Sequence, residues 1–138
     1  MQVIVRNEDD GVSHMTQIVL AEDGTDHARI LIAILKKNGF EVNWFQTGVE
    51  AFDYLSKNPM PDLLITDVMM PGMSGFELLR RLKDLNVMPP TIVLTSKQRE
   101  EDVLQGLGYG IIDYIVKPFS PGVVMMKIKN ALVRKNAA

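Results

Sequence analysis

Four apolar runs in this sequence each end in a polar residue that could bind a cation or a phosphoryl group. The acidic pair Glu22 and Asp23 follows the first run, and Asp67 follows another. Thr95 and Lys117 end two further runs. If the fold brings the three carboxylates together, they repel one another and the pKa of at least one of them rises, unless a cation is supplied. Mg²⁺ selects oxygen ligands and leaves positions for phosphate, so Asp23 and Asp67 would bind it directly and Glu22 through water.

The same residue types could carry out phosphoryl transfer. With a cation in place, the carboxylate of Asp67 is a nucleophile toward phosphorus, and the product is an aspartyl phosphate. Mg²⁺ and Lys117 would neutralise the phosphoryl oxygens, and the hydroxyl of Thr95 would donate a hydrogen bond to one of them. Each residue alone has an ordinary explanation as a turn acid, a surface lysine or a strand-end hydroxyl. Their joint placement favours the functional interpretation.

The elements that must position these residues are short strands that alternate with amphipathic helices. The strands are predicted at residues 17–21, 41–45, 63–66, 91–95 and 111–116. A helix follows each strand, and the third begins at Ser74 in a sequence with the form of a capping box. This alternation predicts an α/β domain whose parallel sheet is covered by helices on both faces. The carboxyl ends of its strands meet at one edge, where open α/β sheets bind ligands.

The composition argues against several classes of protein. A length of 138 residues with 46% hydrophobic content suits one domain, predicted at residues 16–138, while residues 1–15 are interpreted as an extension or a remnant of tag removal. The net charge of −2 offers no basic surface for direct nucleic-acid binding. Without cysteine there is neither a disulfide nor a thiolate metal site. No apolar run reaches the ~18 residues of a membrane span, so a soluble cytoplasmic protein is expected.

Taken together, these motifs resemble the receiver domain of two-component response regulators. The resemblance covers residues 16–131. It rests on Glu22-Asp23, on Asp67 with Met70-Pro71-Gly72 behind it, on Thr95, and on Asp113-Tyr114-Ile115-Val116-Lys117-Pro118-Phe119. It implies a flavodoxin-like (CheY-like) sheet of five parallel strands in the order 2-1-3-4-5, with the site at the switch between strands one and three.

The resemblance also assigns roles to residues and partners. It adds the backbone carbonyl of Met69 to the Mg²⁺ ligands, makes Thr95 and Tyr114 a two-state switch, and implies a cis peptide bond between Lys117 and Pro118. A sensor histidine kinase or a histidine phosphotransfer protein would donate the phosphoryl group. A downstream effector or a linked output domain would bind the face made by the fourth helix, fifth strand and fifth helix. Such a domain promotes its own phosphorylation and dephosphorylation and is not a turnover enzyme.

Two departures from the family pattern lie at the site itself. Glu22 replaces the commoner first aspartate, a change that keeps the charge. Ser96 and Lys97 follow Thr95 where a small residue is usual first. With Met69, they occupy positions that tune dephosphorylation in receivers, so the lifetime of the phosphoryl group is left open.

A third departure lies in the fourth helix. This predicted helix contains Val103, Leu104, Gly106, Leu107 and Gly108, and Gly110 follows it. Each interior glycine costs about 1 kcal/mol relative to alanine, so a short or mobile helix is predicted. Ile111 and Ile112 add apolar surface at the entrance of the next strand. A homodimer or another partner would cover this surface, and full burial of both residues within one chain would contradict that expectation.

Two alternative functions stay open at this point. One is a receiver-like interaction module that is not switched by phosphate. The other is a magnesium-dependent phosphohydrolase of the haloacid dehalogenase type, suggested by Asp23-Gly24-Thr25. Ala21 stands at the nucleophile position of that family, which argues against this alternative. Multiple turnover of a phosphate ester after loss of Asp67 would support it.

Overall fold

The computed structural model describes residues 5–7, 12–96 and 101–137. The strands are β1 (Val5–Asn7), β2 (Val12–His14), β3 (Gln17–Ala21), β4 (Glu41–Phe45), β5 (Leu63–Asp67), β6 (Thr91–Ser96) and β7 (Asp113–Lys117). The helices are α1 (Thr25–Lys37), α2 (Gly48–Lys57), α3 (Gly75–Asp84), α4 (Glu101–Tyr109) and α5 (Pro121–Ala137). None of the described helices combines the length and the hydropathy that crossing a membrane requires.

Strands β3 to β7 form one parallel sheet in the order β4-β3-β5-β6-β7. Counted from β3 as the first strand, this is the order 2-1-3-4-5, and the predicted fold class is confirmed. The chain passes from β3 to β4 in one direction and then returns across β3 to β5. A crevice opens at the carboxyl ends of the strands where the direction reverses. The acidic residues that follow β3 and end β5 therefore lie on its two sides.

Two apolar cores, one on each face of the sheet, hold the helices in place. Helices α1 and α5 cover one face, where Leu31 and Ile128 are fully buried. Helices α2 and α3 cover the other face, with Leu55 and Leu79 among the buried residues. Because both faces are covered, every residue of β5 is buried. The strand that carries Asp67 is thus fixed by both cores.

Strands β1 and β2 form a separate antiparallel pair that the sequence analysis did not predict. Val5 pairs with His14, and Asn7 pairs with Val12. Residues 1–4 and 8–11 lie outside the described part of the chain. Strands of three residues are too short for a recognisable alternation of apolar and polar positions, which is why the prediction missed them.

Helix α4 packs on the sheet differently from what its apolar residues suggest. Leu104 and Leu107 are 73% and 57% exposed. Gly106 is buried instead, and a Cβ built on it would lie 2.7 Å from Cδ1 of Ile111. The side chain of Val103 lies outside the described part. The spacing of leucines therefore did not identify the inward face, because a glycine makes the closest approach.

The fourth helix is the shortest of the five that the structure describes, with nine residues. Residues 97–100, which include Lys97, lie outside the described part. Gly110 follows the helix with φ +87°, and Ile111 then packs into the core. Strand β7 consequently begins at Asp113, two residues later than predicted. Ile111 is buried and Ile112 is half-buried, so burial of both within one chain is incomplete.

Candidate functional site

Three carboxylates meet at the carboxyl ends of β3 and β5. Glu22 and Asp23 directly follow β3, and Asp67 is the last residue of β5. One oxygen from each carboxylate lies within 4.8 Å of the other two. Glu22 and Asp67 are only 1% and 7% exposed, whereas Asp23 faces solvent. The parallel register of β3 and β5 creates this cluster from residues that are far apart in the sequence.

Lys117 reaches the acidic cluster from the end of β7. Its Nζ donates hydrogen bonds to Oε1 of Glu22 at 2.7 Å and to Oδ2 of Asp67 at 2.8 Å. The Lys117–Pro118 peptide bond that follows is cis. One ammonium group thus bridges two buried carboxylates, one directly after β3 and the other at the end of β5.

Burial and the hydrogen bonds of Lys117 shift the pKa values of Glu22 and Lys117. Burial raises the pKa of Glu22 to about 7, and the neighbouring Asp67 adds to the rise, while the hydrogen bond from Lys117 opposes it. Burial lowers the pKa of Lys117, but its hydrogen bonds to Asp67 and Glu22 outweigh this effect and the pKa is raised. Lys117 is therefore charged at neutral pH.

The donor set of the site fits a hard divalent cation. One lysine compensates at most part of the charge of three clustered carboxylates. Burial first, and the neighbouring Asp67 second, raise the pKa of Glu22, and a bound cation would oppose both effects. Carboxylate oxygens select Mg²⁺ or a similar cation, and an exposed Asp23 beside a buried Asp67 leaves open coordination positions.

The backbone of Asp67 is held by the start of helix α3. The amide of Gly75 donates a hydrogen bond to the carbonyl oxygen of Val68 at 2.8 Å. A Cβ built on Gly75 would overlap the carbonyl oxygen of Asp67. Ser74 caps the helix, since its hydroxyl accepts a hydrogen bond from the amide of Glu77 at 3.1 Å. The loop after β5 is therefore closed tightly against the residue that it presents.

A cleft of about 230 Å³ opens beside Asp67. It is lined by Asp67, Val68, Met69, Thr95, Ser96 and Lys117. Thr95 is buried at the end of β6, and its hydroxyl donates to the carbonyl oxygen of Ser96 at 3.4 Å. Met69 is 54% exposed at the rim. The cleft therefore joins a carboxylate, an ammonium and a hydroxyl in a space open to a small anionic group.

Tyr114 lies apart from this cleft. The register of β6 and β7 pairs Thr95 with Val116, so Tyr114 is two residues farther from the carboxyl edge. Nζ of Lys127 lies 4.4 Å from the ring centroid of Tyr114 and donates to its carbonyl oxygen at 2.6 Å and to Asp113 at 3.0 Å. These contacts hold Lys127 of α5 against β7.

The structure brings together six of the predicted site residues: Glu22, Asp23, Asp67, Met69, Thr95 and Lys117. The sequence analysis missed Trp44, whose indole nitrogen donates to the carbonyl oxygen of Glu22 at 2.9 Å. It also missed His27, whose Nδ1 lies 3.8 Å from Oε1 of Glu22. Neither contact has a local sequence signal, because each depends on how α1 and β4 pack beside β3.

A parallel sheet in this order, with carboxylates and a lysine at its carboxyl edge, defines the class of CheY-like α/β proteins. A putative response regulator from Chloroflexus aurantiacus has the same fold, with a TM-score of 0.80 at 31% identity, covering 86% of this chain and 98% of that one. The signal receiver domain of a signal transduction histidine kinase from Syntrophus aciditrophicus gives 0.74 at 36% identity, covering 86% and 90%.

This chain belongs to the response regulator receiver domain family, which matches residues 18–129. The response regulator SaeR of Staphylococcus epidermidis is 35% identical over 120 residues, which are 87% of this chain and 52% of that protein. The transcriptional regulatory protein CreB of Escherichia coli is 40% identical over 115 residues, which are 83% and 50%. The chain thus spans about half the length of these relatives.

Membership of this family carries known properties. Receiver domains take part in phosphoryl transfer in two-component systems, and they interact with histidine kinases and output domains. They bind Mg²⁺ at an acidic pocket, and this chain has an acidic cluster of that kind.

Proposed function

We propose that Asp67 accepts a phosphoryl group in a Mg²⁺-dependent reaction. The observation that carries this proposal is the position of its carboxylate, which is nearly buried, bonded to Lys117 and open to the cleft. The donor is a phosphohistidine of a sensor kinase or of a histidine phosphotransfer protein. An oxygen of Asp67 forms a bond to phosphorus while the P–N bond breaks, and the electron pair leaves with the imidazole nitrogen, which gains a proton.

Asp23, Asp67 and the carbonyl of Met69 would hold the cation directly, with Glu22 acting through water. Bound Mg²⁺ supplies positive charge that offsets the phosphoryl oxygens. Lys117 supplies a second positive charge, because its Nζ is already 2.8 Å from Asp67. The hydroxyl of Thr95 lines the same cleft and would donate to a phosphoryl oxygen.

Attachment of the phosphoryl group adds about −1.5 to −2 charge at one point of the cleft. We expect Thr95 to move toward this charge and Tyr114 to respond, so that the face made by α4, β7 and α5 changes. An effector, a linked output domain or a second copy of the chain would bind this face. The exposed Leu104 and Leu107 and the half-buried Ile112 support such an interface. The well-buried Ile111 contributes little to it.

The proposal also covers the extent and the location of the domain. We propose that the receiver domain comprises residues 16–138 and that residues 1–15 are accessory to it. The family match over residues 18–129 supports these bounds. We place the chain in the cytoplasm, because a histidine kinase receives its phosphoryl group from ATP there.

Intact-mass spectrometry after incubation with Mg²⁺ and acetyl phosphate tests the proposal. One added phosphoryl group is expected on the unaltered protein and none on the Asp67→Asn variant or in the presence of a chelator. Asp53→Asn is a matched control, since Asp53 is an exposed acid on α2 that pairs with Lys57. A protein that binds Mg²⁺ but never gains mass would favour the phosphate-independent module. Repeated hydrolysis of a phosphate ester by Asp67→Asn would instead favour the phosphohydrolase.

A further inference from the structure

The acidic pair after β3 is anchored by a tryptophan on the neighbouring strand. Nε1 of Trp44 donates a hydrogen bond to the carbonyl oxygen of Glu22 at 2.9 Å. Trp44 is opposite Leu20 in the register of β3 and β4, and its ring packs against the core beneath α1 and α5. The donor is therefore carried on a half-buried ring with little freedom to turn away.

With the bond from Trp44, the amide, the carbonyl oxygen and the carboxylate of Glu22 all take part in hydrogen bonds. The amide of Glu22 donates to the carbonyl oxygen of Phe45 at 3.1 Å. Its carboxylate accepts from the amide of Gly24 at 3.1 Å and from Lys117 at 2.7 Å. Trp44 adds the carbonyl oxygen to this set. The backbone and the side chain of Glu22 are thus both held before any cation arrives.

The carbonyl group of Glu22 also determines the direction of the next residue. It belongs to the planar peptide unit that connects Glu22 to Asp23. Because this unit is planar, a hydrogen bond that holds the carbonyl group also holds the backbone nitrogen and Cα of Asp23. Asp23 itself is exposed and follows the end of the strand. An exposed loop residue normally loses conformational freedom when it binds a cation, and an arrangement that is already ordered avoids much of that cost.

We propose that Trp44 is a positioning residue for the divalent-cation site, acting through the backbone of Glu22 to orient Glu22 and Asp23. The inference rests on the proposed function, because it assumes that the acidic cluster binds Mg²⁺. It assigns to β4 a role in cation affinity, although β4 contributes no ligand to the cluster.

The test compares Mg²⁺ affinity in three proteins by isothermal titration calorimetry, starting from metal-free samples. Trp44→Phe keeps an aromatic ring and removes the indole donor. Tyr54→Phe is the control, because it removes an aromatic hydroxyl that accepts a hydrogen bond from Asn43 on β4 at 3.4 Å, on the opposite face of the sheet from Trp44. We expect the dissociation constant to rise about fivefold in Trp44→Phe, the effect of one lost hydrogen bond, and to stay unchanged in Tyr54→Phe.

Thermal unfolding in chelator separates positioning from general stability. A fivefold weaker Mg²⁺ affinity with folding midpoints that match between the two variants supports the proposal. Equal Mg²⁺ affinity in the unaltered protein and Trp44→Phe would overturn it while leaving the proposed function intact. If no protein binds Mg²⁺, the cation part of the proposed function fails and this inference fails with it.

A second measurement decides the matter if Trp44→Phe does not fold. Trp44 is the one tryptophan in the sequence, so the indole N–H gives a single, assigned signal in a nitrogen–proton correlation spectrum. We expect this proton to exchange slowly with solvent and its signal to shift on addition of Mg²⁺ to the unaltered protein. Fast exchange together with an unchanged signal would overturn the proposal.

Discussion

Two regions of this domain, the carboxyl ends of β3 and β5 and the surroundings of α4, are built in different ways. Around β3 and β5, buried polar groups bind one another, and Glu22 alone takes part in hydrogen bonds with Gly24, Trp44 and Lys117. Around α4, the helix presents a glycine to the core and leucines to solvent. The first region resists displacement because a move breaks several hydrogen bonds at once. Among the described side chains of the second, Leu104 and Leu107 are exposed and Tyr109 stacks on Phe76, so a shift of the helix breaks fewer contacts.

This contrast suggests that phosphoryl chemistry and partner binding are carried by different regions of the domain. The groups proposed to react with phosphate, Asp67 and Lys117, lie in the region that is rigidly bonded. The face proposed to bind partners lies mostly in the region that is loosely packed. We expect substitutions in the first region to be costly for the fold and substitutions in α4 to be mild.

The largest effect is expected for Gly75→Ala. The new Cβ would overlap the carbonyl oxygen of Asp67, which is backbone and cannot turn aside. The free energy of unfolding should fall by about 3 kcal/mol, as measured by chemical denaturation. Gly72→Ala is the control for a glycine substitution elsewhere in this loop. No atom lies within 4 Å of a Cβ at Gly72, so its loss of stability reports only the backbone strain at φ +80°. A smaller loss in Gly75→Ala than in Gly72→Ala would contradict the tight closure inferred here.

The next effect concerns pH. The carboxyl of Glu22 has a pKa of about 7 in the folded protein, raised chiefly by burial from the ordinary value of 4.5. The unfolded chain therefore releases this proton at lower pH than the folded one, so stability is lost as pH rises through this interval. Without divalent cations, the free energy of unfolding should fall by about 2 kcal/mol between about pH 5 and pH 8. Glu22→Gln should remove this slope, and a slope that persists in the variant would assign it to other groups.

A smaller loss is expected on the α4 side for Gly106→Ala. The added Cβ would lie 2.7 Å from Cδ1 of Ile111 and 3.2 Å from Cε1 of Phe76, and the end of the isoleucine can move. The better helix propensity of alanine offsets part of the strain, which leaves a loss of about 1 kcal/mol. Urea denaturation of the variant measures it. A loss as large as that in Gly75→Ala would show that the two regions are equally rigid.

The smallest effect is a gain, expected for Gly108→Ala. No atom lies within 4 Å of a Cβ at this position, so only the propensity changes. Stability should rise by about 0.5 kcal/mol, and hydrogen exchange of the α4 amides should slow. Leu104→Ser, at an exposed position of the same helix, should leave both quantities nearly unchanged. A loss of stability in Gly108→Ala would contradict the open space found beside this glycine.

The sequence predicted the sheet because its strands are complete apolar runs. A strand was predicted at residues 63–66 in a sheet covered on both faces, and β5 is buried along its whole length. The polar residues at the strand ends then met at one edge because parallel strands share their direction. In this fold, a residue at the carboxyl end of a central strand lies at the site. The acidic cluster could therefore be predicted from the sequence.

What escaped prediction depends on packing between elements that are distant in sequence. Leu104 and Leu107 have helical spacing, yet Gly106 makes the contact with Ile111 and Phe76, and no periodicity marks a glycine as the inward residue. The contact of Trp44 with Glu22 needs the register of β3 and β4. The hydrogen bonds of Lys127 to β7 also lack a local signal, because a lysine on a terminal helix is usually solvated.

Lys117 gives the resting protein a counter-ion of its own. Two buried carboxylates without a bound cation need another positively charged partner. The ammonium group of Lys117, bonded to Glu22 and Asp67, is such a partner and is carried by the chain itself. This internal ion pair should let the acidic cluster keep its arrangement at low concentrations of free divalent cations.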